Sequence, residues 1–367
     1  MAKGDRFPSE SITFQDEHTG AHLRQITSHP SIHHHPFLFV PAYDDGMKRL
    51  IFASSRTGSP QLFAEDRATG DLIQLTDRPD LNDWSIYPTH QGDAVLFTAG
   101  MSAWKIDLET LEEQVLSNFA GPRMQEEGMV AAAMGTTGLS WDDRWWAVGY
   151  HAEDHPALAI VDVKNRSFET ILRGVSAGHL QFCPDDSNLL FYAGPLNDRV
   201  WVINRDGSNN HRLYQRKPRE WITHETWIHG TRELAFVDWP HGIRCVHADT
   251  GAERLVASFN AWHTVCHHTG TMMVADTNHP DIGLQLFDPG NPDRPAITLC
   301  YPEASNMGEH WKGPFPYEKG PIPVYAPQHT HPHPSFSPDG CYVVFTSDRT
   351  GYAQIYEVEI PADLKEM

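Results

Sequence analysis

The chain has 367 residues, a formal net charge of -20 at pH 7 and 40% hydrophobic residues. This acidic composition argues against nucleic acids and anionic membranes as partners, because both bind clustered lysine and arginine. The first ten residues lack the apolar segment of a signal peptide, and no run of about 18 apolar residues follows, so we expect a soluble cytoplasmic protein. Five widely spaced cysteines without a Cys-x-x-Cys pair indicate free thiols.

Along the chain, the first predicted strand covers residues 21–27. A unit of strand, polar turn and strand then begins at Phe52 and is closely matched by a copy that begins at Phe345. Both copies carry an aromatic residue, Ser, Arg-Thr-Gly, Gln and a second aromatic residue at the same spacing. Weaker copies begin at five intermediate positions: Phe97, Val148, Phe191, Phe236 and Val274. The sequence therefore contains seven copies of one unit.

The repeat spacing predicts the architecture. Successive copies start 38 to 51 residues apart, except for a final interval of 71 residues. A four-stranded propeller blade takes about 40–45 residues, so we predict an all-β, seven-bladed β-propeller that forms a single domain over residues 1–367. The last blade has only three evident strands, so the strand at residues 21–27 is predicted to join it and close the ring.

The long final interval contains an insertion at about residues 301–327, rich in proline, glycine and aromatic residues. Loops of this length in compact folds are usually functional. This one leads directly into Gln328-His329-Thr330-His331-Pro332-His333, which places an amide and imidazoles close together. Side chains alternate along an extended segment, so His331 and His333 point to the same side, and a turn can add Gln328.

A metal site is the prediction for this motif, with a further histidine from elsewhere in the fold. The alternative is chance, because the chain contains 23 histidines and imidazole is a common satisfied polar group. Other histidines precede the blade cores, and equivalent positions in successive blades line one end of the channel. We therefore expect these residues to converge around an anionic oxygen ligand: His33, His179, His224, His263, His331 and His333.

Two further residues stand at the starts of strands in adjacent repeats, Arg199 and His224. A salt bridge to Asp198 is the structural alternative for Arg199, and a core histidine bonded to a carbonyl is the alternative for His224. The motifs Gln328-x-x-His331-x-His333, Thr223-His224-Glu-x-Trp227 and Asp198-Arg199-Val-Trp201 together resemble the oligogalacturonate lyases. The resemblance covers about residues 1–360 and implies a seven-bladed propeller of bacterial pectin catabolism.

The resemblance also implies roles for individual residues. The metal ligands would be His263, Gln328, His331 and His333, and the ion typically manganese. His224 would be the general base, Arg199 would assist at the reacting sugar, and His33 and His179 would contact substrate. The implied reaction is β-elimination of an acidic substrate, digalacturonate or its unsaturated form, to 5-keto-4-deoxyuronate.

Two alternatives remain open at the sequence level. The stretch from Gly121 to Gly138 and the insertion depart from the family pattern, and loops of this kind shape a sugar pocket, so the same chemistry could serve another uronic-acid oligosaccharide. The second alternative is a non-catalytic propeller that binds a partner at the channel mouth. The oligomeric state is not encoded in any of these motifs.

Overall fold

The computed structural model of the protein describes residues 2–44, 46–119, 136–152, 155–305 and 330–364. Its strands form seven antiparallel sheets, which are the seven blades of the predicted propeller. The chain begins with three strands, β1 (Arg6–Phe7), β2 (Ile12–Gln15) and β3 (His22–Gln25). Blade 1 follows with β4 (His33–His34), β5 (Arg49–Ser54), β6 (Gln61–Asp66) and β7 (Leu72–Gln74).

Blades 2 to 4 have four strands each. Blade 2 contains β8 (Leu81–Pro88), β9 (Ala94–Ala99), β10 (Ser102–Asp107) and β11 (Glu113–Asn118). Blade 3 contains β12 (Gly138–Leu139), β13 (Trp145–Ala152), β14 (His155–Asp162) and β15 (Ser167–Arg173). Blade 4 contains β16 (Gly178–Cys183), β17 (Asp186–Ala193), β18 (Val200–Asn204) and β19 (His211–Tyr214).

The last three blades complete the ring. Blade 5 contains β20 (Ile222–Ile228), β21 (Glu233–Asp238), β22 (Gly242–His247) and β23 (Glu253–Ala257). Blade 6 contains β24 (Ala261–Cys266), β25 (Met273–Thr277), β26 (Gln285–Phe287) and β27 (Ile297–Thr298). Blade 7 starts with β28 (Ser335–Phe336), β29 (Tyr342–Ser347) and β30 (Gln354–Glu359), and a 3-10 turn covers Ala362–Leu364.

The predicted ring closure is confirmed. In blade 7 the strand order is β2-β3-β30-β29-β28, and Leu23 of β3 lies opposite Val358 of β30. The amino-terminal strand thus supplies the fourth strand of the last blade, and β2 adds a fifth. β1 pairs with the outer strand of blade 1 in the same way.

All seven repeat copies fall on the second strand of a blade, which is why they were visible in the sequence. This strand is sandwiched between the neighbouring blades, so both of its faces are buried, and β9 and β25 have no exposed residue. A strand buried on both faces reads as a short continuous apolar run. The apolar residues of adjacent blades then pack into the clusters that form the core.

A buried ionic network joins the closing strand to blade 1. Arg24 of β3 donates to both oxygens of Glu65 at 2.6 and 2.8 Å, and its Nε donates to Glu357 at 3.2 Å. Arg67 reaches the same Glu357 with two bonds of 2.7 and 2.8 Å. Glu65 and Glu357 are 0% and 3% exposed. Two guanidinium groups therefore neutralise two buried carboxylates at the seam of the ring.

All five cysteines are free thiols, and four of them are buried. In the part of the chain that the structure describes, no helix is long and apolar enough to cross a membrane. Residues 306–327 of the predicted insertion lie outside the described residues, as does most of the stretch from Gly121 to Gly138.

Candidate metal and catalytic centre

The first strands of blades 4, 5 and 6 each contain an irregularity where a predicted histidine sits. The pairing register shifts between Gly178 and Gln181, between Thr223 and Thr226, and between Ala261 and Thr264. His179, His224 and His263 lie in these three bulges. A bulge turns a side chain away from its normal alternation, so each imidazole is directed to the channel end of its strand.

Backbone strain marks the same positions. The φ angles of His179, His224 and His333 are 49°, 52° and 47°, in the left-handed region that residues with a Cβ rarely adopt. Non-glycine residues in this region cost about 1–3 kcal/mol each and cluster at functional sites. The chain holds three imidazoles of one cluster in this conformation.

Three of the predicted metal ligands come together. The nearest ring nitrogens of His263, His331 and His333 all lie within 4.8 Å of one another, and Nε2 of His263 is 3.4 Å from Nδ1 of His331. Nε2 of His333 is buried and has no hydrogen-bond partner among the described residues. Three converging imidazoles, one with an orphaned nitrogen, are a donor set that fits a divalent transition-metal ion.

Asp276 orients His263 within this cluster. Its carboxylate accepts Nδ1–H of His263 at 2.8 Å and the backbone N–H of His263 at 2.7 Å. Asp276 is fully buried in β25, next to β24. A carboxylate on one ring nitrogen fixes the tautomer and leaves the other nitrogen free to ligate, as is usual for metal-binding histidines.

His35 supports the loop that carries the other two ligands. Its Nε2–H donates to the carbonyl of Pro332 at 3.2 Å, between His331 and His333. Burial lowers the pKa of His35 to about 4, so the ring is neutral and serves as a donor. Phe37, two residues further along, packs against His333 with the ring centroids 4.8 Å apart.

His224 lies directly beside the cluster, with its ring centroid 4.1 Å from that of His263. Its Nδ1 has no hydrogen-bond partner among the described residues. Burial, reinforced by His263, His179 and Arg199, lowers the pKa of His224 well below its ordinary value. The imidazole is therefore unprotonated at neutral pH and can accept a proton.

Arg199 does form an ion pair, with Glu225 rather than with Asp198. Its Nε donates to Oε1 of Glu225 at 2.6 Å, and its Nη2 donates to Nδ1 of His179 at 3.0 Å. Asp198 pairs instead with Arg212. Burial alone would raise the pKa of Glu225, but the guanidinium of Arg199 lowers it on balance, so this fully buried carboxylate stays charged. The guanidinium is held rigidly beside the histidine cluster.

The comparisons with known proteins identify the family. A sequence profile described as oligogalacturonate lyase matches residues 1–364. The chain belongs to the oligogalacturonate lyase family. The oligogalacturonate lyase of Dickeya dadantii (strain 3937) is 26% identical over 385 residues, covering 98% of this chain and 99% of that protein.

Two solved structures of oligogalacturonate lyases match the fold. One, in complex with manganese, gives a TM-score of 0.84 at 24% identity and covers 99% of this chain and 100% of that chain. The other, from Vibrio parahaemolyticus, gives 0.81 at 23% identity and covers 99% and 100%. The predicted family and the prediction of a lyase are thus confirmed by the profile match, and the predicted propeller by these structures.

Two predicted residues of this oligogalacturonate lyase family member are not in the described cluster. Gln328 lies outside the described residues. His33 is completely buried in blade 1, and its ring contacts are with His29 and Phe52. Nε2 of His33 faces Ser31 and the carbonyl of His29, within its own blade. Its neighbour His35 occupies the place beside the cluster that the sequence suggested for His33.

Asp276, Glu225 and His35 are the residues that the sequence reasoning missed. Glu225 follows His224 directly, so the His-Glu pair was a usable signal. Asp276 and His35 carry none, because their contacts depend on the pairing of β24 with β25 and on the packing of blade 1 against the loop before β28.

Proposed function

We propose that this protein is a metal-dependent lyase that cleaves short oligogalacturonides, such as digalacturonate and unsaturated digalacturonate, to 5-keto-4-deoxyuronate by β-elimination. The observation that carries this proposal is the position of His224, an unprotonated imidazole with its ring 4.1 Å from that of the candidate ligand His263. Elimination from a uronide requires a base next to a group that neutralises the substrate carboxylate, and this pair of histidines supplies both positions.

His263, His331 and His333 would hold the ion, with Gln328 as the predicted fourth ligand. The manganese in the related solved structure makes Mn2+ the proposed metal, while three imidazoles also suit nickel, cobalt and zinc. When bound, the ion supplies positive charge that offsets the charge developing on the C6 carboxylate and so acidifies the C5 proton. In a chain with a net charge of -20, this local positive charge is what would attract an acidic sugar.

His224 would take the C5 proton. Its neutral form prevails at neutral pH, so the imidazole can act as a base without first losing a proton. Trp262 packs edge-on against His224 with the ring centroids 5.1 Å apart, which restricts the rotation of the imidazole. A base held in one orientation needs no reorganisation as the proton moves.

Arg199 would stabilise the negative charge of the intermediate, and His179 would bind the sugar. Since Nδ1 of His179 accepts a hydrogen bond from Arg199, the neutral ring carries its proton on Nε2 and can donate there to a substrate oxygen. Glu225 balances the charge of Arg199, so the pair adds a directed donor without adding net charge.

The decisive experiment compares wild-type protein with His224→Ala on digalacturonate, unsaturated digalacturonate and a panel of other uronide disaccharides. Product mass and the ultraviolet absorbance of the unsaturated uronide give the rate, and elemental analysis gives the metal content. We expect a loss of at least about 100-fold in kcat for His224→Ala with unchanged metal content. His211→Ala, an exposed histidine on the outer strand β19, is the matched control and should turn over normally.

Three results would change the proposal. Normal turnover by His224→Ala would remove this residue as the base. Turnover of another uronide alone would keep the chemistry and replace the substrate. No turnover of any uronide in the panel, with the metal bound, would indicate a binding protein instead of an enzyme.

A further inference from the structure

A second cavity of about 310 Å3 lies at the opposite mouth of the channel. The strands that carry the metal and catalytic histidines also define this other end. His224 is the third residue of β20 and His229 follows its last residue, so at about 3.3 Å per residue the two lie on the order of 16 Å apart. His263 and His267 are related in the same way by β24. We call this cavity the distal pocket.

The channel is closed between its two mouths. Phe37 packs against His333 and His179 on the metal side. The next residues, Leu38, Phe39 and Val40, line the distal pocket on the other side. Leu38 and Val40 are almost completely buried. A ligand in the distal pocket would therefore meet an apolar floor and would be separated from the metal cluster by packed protein.

An exposed indole dominates the wall of the distal pocket. Trp141 is 47% exposed although it stands in a concave surface. Three imidazoles surround its ring, with centroid distances of 4.3 Å to His90, 5.1 Å to His229 and 6.4 Å to His268. Exposure of an apolar indole face to water is unfavourable in free energy. An open indole face surrounded by polar groups therefore suits a ligand with one apolar face and polar edges.

This wall is held in a fixed shape before any ligand arrives. Asp143, two residues after Trp141, accepts Nδ1–H of His90 at 2.7 Å and the backbone N–H groups of His90 and Gln91 at 2.9 Å each. One carboxylate of blade 3 thus fixes the turn of blade 2 that carries His90. Preorganisation of this kind lowers the entropy lost on binding.

The charged groups of the distal pocket disfavour an acidic ligand. Among the described residues that line it, none is lysine or arginine, while Asp339 contributes a carboxylate. Burial lowers the pKa of His229 to about 3 and that of His267 to about 4, so these imidazoles are neutral. Asp339 disfavours a carboxylate ligand, and the neutral imidazoles of His229 and His267 offer hydrogen bonds to hydroxyl groups.

We propose that the distal pocket is a second, non-catalytic binding site for a neutral pyranose sugar, whose apolar face stacks on Trp141 and whose hydroxyl groups bond to the surrounding imidazoles. Its volume lies at the lower limit of ligand sites, about 300–1,000 Å3, which fits one sugar ring. The sugar is either a free monosaccharide or a neutral unit of a longer saccharide. This site does not depend on the proposed lyase activity at the other mouth.

The test uses full-length, zinc-loaded protein labelled with 5-fluorotryptophan, since zinc is diamagnetic. The fluorine resonance that disappears in Trp141→Phe identifies Trp141. We expect galactose to shift this resonance with a dissociation constant in the millimolar range, and galacturonate to bind at least about tenfold more weakly. Tighter binding of galactobiose than of galactose would assign the site to a chain unit, and equal binding would assign it to a free sugar. Trp221→Phe is the control, because Trp221 is 43% exposed at the other end of blade 5.

Several outcomes would overturn the proposal. They are no shift of the Trp141 resonance up to about 100 mM galactose, equal binding of galacturonate, a shift caused by choline instead of sugar, or a Trp221→Phe variant in which galactose no longer shifts the Trp141 resonance. A Trp141 resonance that broadens with protein concentration, together with a dimer in sedimentation, would assign the indole to self-association. Turnover of Trp141→Phe on digalacturonate should stay normal, which separates this site from the catalytic centre.

Discussion

The carboxylate of Asp276 accepts two hydrogen bonds from His263, one from Nδ1–H at 2.8 Å and one from the backbone N–H at 2.7 Å. Both residues are buried, and they belong to paired strands of blade 6. The tautomer and the direction of the His263 ring are therefore set by β25, before an ion is present.

The first prediction concerns this pair. Asp276→Asn keeps the shape of the side chain but removes the charge, so the His263 ring loses both its fixed tautomer and some of its basicity. We expect metal affinity to fall by about 10–100-fold, as is typical when a partner of this kind is lost. Competition with a metal-binding dye measures it. Asp206→Asn, in an exposed turn, is the control, and an unchanged affinity in Asp276→Asn would contradict the proposed role.

The second prediction concerns Glu225 and Arg199. Glu225→Gln leaves the guanidinium without its buried counter-charge, so we expect turnover to fall by at least about tenfold and stability by about 3–5 kcal/mol, while metal content stays normal. A double variant, Glu225→Gln with Arg199→Gln, removes both charges. It should recover stability relative to Glu225→Gln and should be no less active than Arg199→Gln alone. Additive losses in turnover would mean that the two residues act independently.

The third prediction concerns the seam of the ring. Arg24→Met removes one of two guanidinium groups that neutralise Glu65 and Glu357, so a buried carboxylate is left partly uncompensated. We expect a loss of about 3–5 kcal/mol in the free energy of unfolding, measured with urea. Arg212→Ala, which breaks a pair on the surface of blade 4, should leave unfolding unchanged within error. Equal losses in the free energy of unfolding for both variants would show that the buried network at the seam contributes no more than a surface ion pair.

The fourth prediction concerns pH. Burial raises the pKa of Asp348 from 3.8 to about 6. The folded state therefore binds the Asp348 proton more tightly than the unfolded state does. The stability that this protonated carboxyl group contributes is complete below about pH 4 and is lost as the pH rises through about 6. Asp348→Asn removes the charge and keeps an oxygen for the backbone N–H of Ser305, which Asp348 accepts at 2.8 Å.

Asp348→Asn should therefore be more stable than the parent protein at pH 8 by about 1–3 kcal/mol, and by less at pH 5. Urea unfolding at both pH values measures this difference. A difference that is the same at pH 5 and pH 8 would show that the carboxyl group has an ordinary pKa in the folded protein.

The fold was accessible from sequence because its repeats leave a periodic signal. The second strand of every blade must be apolar on both faces, so seven copies such as Phe52 and Phe236 stand out. The closure of the ring could be predicted by counting strands. The last repeat has only three evident strands, so an amino-terminal strand had to supply the fourth. The fifth strands of blades 1 and 7, β1 and β2, carry no such signal because they are short and largely exposed.

The site was only partly accessible. His331 and His333 were found because two ligands lie in one short segment, and His263 came from the family resemblance. The bulges that redirect His179, His224 and His263 have no sequence signature, because they arise from the pairing of each first strand with the second. Asp276 and His35 were missed for the same reason, since their contacts are fixed by strand pairing and packing, whereas Glu225 was adjacent to His224 in the sequence.

The closure of the ring and the assembly of the histidine cluster both depend on the last part of the chain to be synthesised. Arg24 and Glu357 meet although 333 residues separate them, so β3 leaves the ribosome long before its partner β30 exists. Until then β3 can pair with β2, which precedes it, but its other edge has no partner. His331 and His333, which precede blade 7, emerge in the same final stretch. A nascent chain that stalls before this point therefore has neither a closed ring nor two of the three clustered imidazoles.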